Sequence, residues 1–440
     1  MKFLKNLDKN RLSFVAVLLI VAVIPFNIVY HFDSTYAYID GAFVNYLDFV
    51  VHIIDVAAVV AIVCIVIAAG FYKDKNFWLV IGTGLAALVV HNLFFLGPVV
   101  LYFSFRLFLY FVCGFTVYMY MAGIKLKEKK KLRRSITWVV ASVAAFQSTL
   151  GILQFFLNRS LGLVRLGESV IQVGGYDSSS VYLVNGYHLR AYGTFPHPNI
   201  LGGFLTIALI PVIHTLSKER GRRKVLLAFL LLVILVGILL TWSRSAWLVS
   251  GLSVAIYLGV RIYRASRKYF WVYLCGVFVF LGVVGSWVML GSDFLSSSIR
   301  ERVVNQSTGS DVSVVERKEL TYRAFKMIKE SWLTGVGMGN FINELSDNPV
   351  YKGGGIRLMQ PVHNVFLLVM SEVGLLGVIL FAGVGVVWRK VVSCGKSPKV
   401  CPLDNTKIYV AMSVLLLSLV DHYFWSLPQG LGLIVLALLI

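Results

Sequence analysis

Twelve apolar stretches, most of them near span length, divide this chain and leave it few ways to fold. They fall at approximately 12–30, 47–71, 77–96, 98–123, 136–157, 199–216, 225–241, 244–260, 270–290, 363–388, 408–426 and 428–440. A helix needs roughly 20 apolar residues to cross the hydrocarbon of a bilayer. In lipid, the backbone groups of such a segment find no partner except within the helix itself. Only 14% of the 440 residues are charged, against about 25% in an ordinary soluble protein, which is too little charge to coat a water-exposed surface. The pattern excludes a soluble multidomain enzyme. It predicts an all-α polytopic membrane protein of about 12 transmembrane helices, although the eighth stretch opens on a charge and the twelfth is short.

The formal net charge of +20 would suggest a polyanionic partner until the charges are sorted by position. Of the 41 basic residues, 27 lie in six segments: Lys2 to Arg11, Lys73 to Lys75, Lys125 to Arg134, Lys218 to Lys224, Arg261 to Lys268, and Arg389 to Lys407. These alternate with basic-poor segments, as twelve crossings with both termini cytoplasmic require. Only Asp8, Asp74, Glu128, Glu219 and Asp404 oppose them, which puts +22 on the inner side and −2 elsewhere. The positive-inside rule accounts for the whole charge, and no nucleic acid is needed. No small-x-small cleavage site follows the first stretch, which reads as a retained signal anchor. Cys64, Cys113 and Cys275 sit in apolar runs, while Cys394 and Cys401 sit in a basic loop without zinc spacing, so all five are expected reduced.

Two outer segments stand out, at 158–198 and 291–362. In the second, Val314, Arg317, Leu320, Ala324, Met327, Ile328 and Trp332 recur at steps of three and four, the signature of an amphipathic helix. Such a helix lies along the membrane face, lids a site or packs on the end of the bundle. Tyr351 to Gly355 reads as a flexible connector before the tenth stretch.

Ionisable residues against lipid are costly and call for a reason. Asp48, His52 and Asp55 fall on one face of the second stretch, and Asp55 and Arg106 each lie roughly 12 Å from the outer end. A proton relay and a structural ion pair are both open. No span looks broken in the sequence, which favours the ion pair over a transporter.

Arg190, Arg244 and His363 form a second group. They precede or open the sixth, eighth and tenth stretches, all at the outer boundary. The two arginines lie on the wrong side for the positive-inside rule. Snorkelling explains each alone, but their convergence at one depth favours a shared anionic ligand. A guanidinium is a planar fork that matches phosphate oxygens at any working pH. One such pair at 4 Å is worth roughly 4 kcal/mol at an effective dielectric near 20, so two arginines can neutralise a diphosphate leaving group without a metal. A histidine beside them, with an ordinary pKa of about 6.5, is expected to stay neutral and able to act as a base.

At these residues the sequence resembles the O-antigen ligase and O-antigen polymerase family of bacterial membrane glycosyltransferases. The resemblance is carried by the run from Arg190 through Gly193, Pro196, His197, Pro198 and Asn199 to Gly203, and by Ser243-Arg244. It continues in Glu316-Arg317 through the glycine-rich turn Thr334–Gly339, and in His363-Asn364 with Glu372 and Gly374. It spans roughly residues 135–390. It implies a region 1–134 of four N-terminal transmembrane helices, a catalytic region 135–390 that includes the outer loop 291–362, and a C-terminal region 391–440.

The resemblance further implies an inverting, metal-independent enzyme with no cofactor. Such an enzyme, multi-pass in the bacterial inner membrane, moves a glycan from an undecaprenyl diphosphate carrier to a lipid or glycan acceptor. By the same resemblance, Arg190 and Arg244 hold the diphosphate, His363 deprotonates the acceptor, and His197, Glu372, Arg317 and Arg357 are supporting candidates. The residues independently disfavour metal-dependent transfer. The first outer loop covers only about 31–46, its Asp33 and Asp40 do not form Asp-x-Asp, and neither zinc spacing nor a Walker loop occurs. A ligase is the expected type, with a polymerase or a protein glycosylating relative as alternatives. The rival from another class is a flippase of lipid-linked sugars working through Asp48, His52, Asp55 and Arg106.

Overall fold

The apolar stretches fold as helices in the computed structural model, which describes residues 9–171, 179–183, 186–267, 269, 271, 273, 312–347, 357–394 and 405–440. The expected ninth stretch and the Tyr351–Gly355 connector lie outside the described residues, apart from 271 and 273. The helices are α1 (Lys9–Val23), α2 (Ile53–Ala69), α3 (Lys75–Asn92), α4 (Pro98–Gly123), α5 (Leu126–Leu157), α6 (Pro198–Leu216) and α7 (Gly221–Leu240). They continue as α8 (Arg244–Ala265), α9 (Val312–Glu330), α10 (Phe341–Asp347), α11 (Val365–Cys394), α12 (Asn405–Ser418), α13 (Tyr423–Ser426) and α14 (Pro428–Leu439). Among the described residues, 6 helices are long and apolar enough to cross a membrane: α4 to α8 and α11. Shorter apolar helices lie within α1, α2, α12 and α14. Three small antiparallel ribbons pair β1 (Val29–Phe32) with β4 (Phe49–His52), β2 (Tyr38–Ile39) with β3 (Ala42–Phe43), and β5 (Ser180–Leu183) with β6 (Gly186–Leu189).

α6 is the axis of the bundle. It carries no charged residue and is apolar on every side, as a fully enclosed helix must be. Its apolar window is 78% buried, against 22% for α7, and it packs on α5, α7, α8 and α12. Two adjacent glycines let its neighbours close in. A Cβ on Gly202 would meet the Ala246 Cβ at 2.7 Å, and one on Gly203 would overlap the Tyr423 hydroxyl. The glycine pair therefore admits the start of α8 on one side and α13 on the other. Next along the helix, the Thr206 and Ser250 hydroxyls hydrogen-bond at 2.8 Å.

The expected amphipathic helix forms as α9. Leu320, Ala324 and Met327 are buried in one cluster with Phe341 of α10 and Leu368 of α11, whereas Trp332 lies beyond its end and is exposed. The helix thus packs on other elements of the protein.

Three stretches differ from expectation. The second begins as a strand: residues 49–52 pair with 29–32, and the Asp55 carboxylate accepts the His52 N–H at 2.9 Å, starting α2 at Ile53. Asp48 and His52 therefore do not share a helical face with Asp55. The eleventh stretch stops at Ser418, and residues 419–422 turn before α13. Asn364 donates to the Leu419 carbonyl at 3.0 Å, satisfying one of the acceptors this turn releases.

The tenth stretch is broken, contrary to the expectation that no span is. Gly374 adopts φ 60° and ψ −170° inside α11, a region reserved for glycine. The freed groups pair with the outer-loop turn. Val336 N donates to Ser371 O at 2.9 Å and Gly337 N to Glu372 O at 2.8 Å, while Leu375 N and Leu376 N donate to Trp332 O and Leu333 O at 2.9 and 2.8 Å. Irregular backbone is tolerated at such depth only where neighbours re-satisfy it. A Cβ on Gly374 would meet Gly335 N and Leu333 O at 2.5 Å. Gly374→Ala is expected to destabilise the protein by roughly 1–3 kcal/mol or more through backbone strain. A thermal unfolding midpoint in detergent equal to that of the unmodified protein would contradict this.

Candidate active site

Residues 190–197 form no regular element, yet Ala191, Thr194 and Phe195 are fully covered. A buried loop must find partners for its peptide groups, and α5 supplies them. Gln154 accepts from Gly193 N and donates to Gly193 O, both at 2.8 Å. Gln147 accepts from Thr194 N at 2.8 Å and donates to its hydroxyl at 2.9 Å. The two amides stand seven residues, about two turns, apart on one face of α5. The Thr194 hydroxyl also donates to Pro25 O at 2.8 Å, anchoring the loop beyond α1.

This loop delivers Arg190 from the end of β6. The side chain is buried, with Nε donating to Thr241 O at 2.7 Å and Nη2 to Asn199 Oδ1 at 2.8 Å. Thr241 begins the turn into α8, where Trp242 takes the left-handed conformation (φ 49°) and the Ser243 hydroxyl caps the helix. Arg244 is the first residue of α8 and is half-buried. Arg190 thus holds the turn that leads into the helix Arg244 opens.

Asn199 carries the connection onward. Its Nδ2 donates to Asp421 Oδ2 at 3.3 Å, and Asp421 Oδ1 accepts the His422 backbone N–H at 2.8 Å. The His422 ring stands edge to face against His363 at 5.2 Å, packs against Tyr46 at 5.5 Å, and its Nδ1 bonds the Ser426 hydroxyl at 2.6 Å. His197 caps α6. Asn199 N donates to its Nδ1 at 3.1 Å, which leaves the proton on Nε2, 2.9 Å from the Ser179 hydroxyl.

The electrostatics tie these groups into one cluster. Burial alone would raise the Asp421 pKa, but His422, His363 and His197 hold it below the ordinary carboxylate value. Burial first and Arg190 second push His197 down to about 3, against the opposing pull of Asp421. His422 is also lowered, by burial and by Arg317, with Asp421 opposing. Arg317 itself is a half-buried residue of α9. Among the described residues, no group of three His, Cys, Asp or Glu is arranged to hold a metal ion.

The other candidates sit further out. Glu372, buried beside the break in α11, accepts the Trp425 indole N–H at 2.7 Å. It lines two adjoining small cavities, one reaching Tyr46 and the other Arg106. Arg357 pairs with Asp40, in the turn between β2 and β3. Asp55 and Arg106 meet at 3.4 Å as expected. Their remaining bonds are to Tyr110 (2.8 Å), the Val50 carbonyl (2.5 Å) and the His52 N–H (2.9 Å). Asp48 binds His31 at 2.5 Å.

Asp421 and His422 are not among the residues singled out in the sequence, although the signal was there. Two ionisable side chains interrupt the apolar stretch 408–426, a default mark of function.

The shifts of His197 and His422 set a pH dependence. Folded His197 stays neutral down to about 3, whereas the unfolded chain takes up that proton below about 6.5. Its contribution to stability is complete above 6.5 and is lost as pH falls toward 3, and His422 acts in the same direction. Asp421 adds a further loss below about 3.8. His197→Gln should flatten the decline of the thermal midpoint between pH 6.5 and 4. An unchanged slope would contradict the assignment.

No curated protein matches the chain. The O-antigen ligase family model matches residues 227–382, a region that contains Arg244, Arg317, Arg357, His363 and Glu372 and leaves Arg190, His197, Asp421 and His422 outside. Together with the apolar helices, the match makes this a multi-pass membrane protein. Across residues 227–382, the chain is similar to the O-antigen ligase family, the family that its motifs resemble.

Proposed function

We propose that the protein is a metal-independent, inverting glycosyltransferase with twelve crossings and both termini cytoplasmic. In this reading it moves a glycan from undecaprenyl diphosphate to an acceptor hydroxyl at the outer face of the bacterial inner membrane. The observation that carries this reading is the convergence of Arg190, the Arg244 turn, His363 and Asp421 around the N-terminal end of α6. The family match over 227–382 supports the reaction class.

The side of the membrane follows from the helix ends. α6, α8 and α11 each begin at this cluster and end near basic residues: Lys218, Arg264 and Arg389. α6 alone separates the two by about 28 Å. With the basic end inside, the cluster faces out.

The chemistry then has named parts. Arg190, oriented by Thr241 and Asn199, and Arg244 bind the two phosphates of the carrier. His363 accepts the proton of the acceptor hydroxyl as its oxygen bonds to the anomeric carbon from the face opposite the diphosphate. The bond from that carbon to the diphosphate oxygen breaks, and the carrier diphosphate leaves with the electron pair, its charge held by the two arginines. Asp421, acting beside His422, favours the imidazolium that forms on His363. Attack from the opposite face inverts the anomeric centre.

The acceptor is read as a lipid core, because one large outer loop follows the ninth stretch. A polymerase or a protein glycosyltransferase would use the same chemistry. Asp55 and Arg106 are engaged in structural bonds, which weighs against a flippase.

In purified enzyme with EDTA present, Arg190→Lys should keep the charge but lose the fork, cutting transfer from a defined carrier-diphosphate glycan by roughly 100-fold or more. His363→Ala should reduce it by about 10²–10⁴-fold, and Asp55→Asn should transfer normally if it folds. Near-full transfer by both Arg190→Lys and His363→Ala would overturn the mechanism. Loss in Asp55→Asn with tolerance of His363→Ala would favour the flippase. Mass spectrometry of the product names the acceptor.

A further inference from the structure

Glu372 is buried where three elements meet: the break in α11, the outer-loop turn and α13. Its carboxyl group accepts the Trp425 indole N–H at 2.7 Å. An amide in its place would bring a single acceptor oxygen and an NH₂ that repels donors. The residue is therefore built to accept, and what it gathers is informative. Trp425 belongs to α13, the single turn that follows Asp421 and His422. On its other side α13 is seated against α6, where the Tyr423 hydroxyl fills the space left by Gly203. Ser426 of the same turn bonds the His422 ring. The position of α13 thus sets where Asp421 and His422 stand relative to His363, and the bond from Trp425 to Glu372 is the polar tie between α13 and α11.

We propose that Glu372 is a positioning residue that latches α13 to the outer-loop turn and so holds Asp421 and His422 in register with His363. The inference rests on the glycan-transfer reading above. The latch touches no reacting atom. It acts on the turnover step through geometry, while Arg190 keeps its own 2.7 Å anchor on the Thr241 carbonyl. A small misplacement of catalytic groups is worth up to roughly 100-fold in rate.

The test compares Trp425→Phe, which keeps the ring and deletes only the N–H donor, with Glu372→Gln and His363→Ala. It measures kcat, the Kd for undecaprenyl diphosphate, and the thermal midpoint in detergent. Trp425→Phe is expected to lower kcat by roughly 10- to 100-fold, with Kd and thermal midpoint unchanged, and Glu372→Gln is expected to fall in the same direction. Full kcat in Trp425→Phe overturns the latch. So does a loss of kcat that comes only with a fall in the thermal midpoint or a weaker Kd. If Glu372→Gln fails to fold, Trp425→Phe alone decides. His363→Ala separates the two levels. If it is inactive while Trp425→Phe is fully active, only the latch fails, whereas an active His363→Ala removes the functional reading itself.

Discussion

Everything at the candidate site depends on how closely three chain segments can approach the first turn of α6. Gly202 and Gly203 remove the side chains that would hold off Ala246 and Tyr423. With them gone, the start of α8 and the single turn α13 lie against two neighbouring faces of one helix end. Arg190 then reaches the Thr241 carbonyl on one side, and Asn199 reaches Asp421 on the other. A methyl group at Gly202 would press on Ala246, and one at Gly203 on the Tyr423 hydroxyl. Packing at two glycines thus brings the segments that carry Arg244 and Asp421 against one helix end.

Irregular backbone is the second theme. Three interruptions gather near the site: the loop 190–197, the turn 332–337 seated in the α11 break, and the turn 419–422. Each is completed by specific partners, namely Gln147 and Gln154, the four backbone bonds at the break, and Asn364. Unbroken helices would satisfy themselves at no such cost, but they present only side chains along a cylinder. The interruptions let Arg190, Asp421 and His422 enter from chain ends, where the backbone can turn toward a common point.

Much of this was legible in the sequence. Apolar length located the spans that form α4, α6 and α7 almost residue for residue, because hydrophobic length is all that such helices require. The positive-inside pattern set apart Arg190 and Arg244, and the meeting of Asp55 with Arg106 followed from depth alone. Breaks were the blind spot. Gly374 in an apolar helix looks like any tolerated glycine, since its conformation is imposed by a segment about 40 residues away that docks on it. Asp421 and His422 fell inside a window whose mean hydropathy hid them. Arg357, a supporting candidate in the sequence, pairs with Asp40, a contact between distant loops that no spacing rule reveals.

The central claim is that Arg190 and Arg244 bind one ligand. A double-mutant cycle tests it most directly, with Kd for undecaprenyl diphosphate measured for the unmodified protein, Arg190→Gln, Arg244→Gln and the double variant. Two arginines on one diphosphate should show a coupling of roughly 0.5–3 kcal/mol. Strictly additive losses, or no loss in either single variant, would contradict the account.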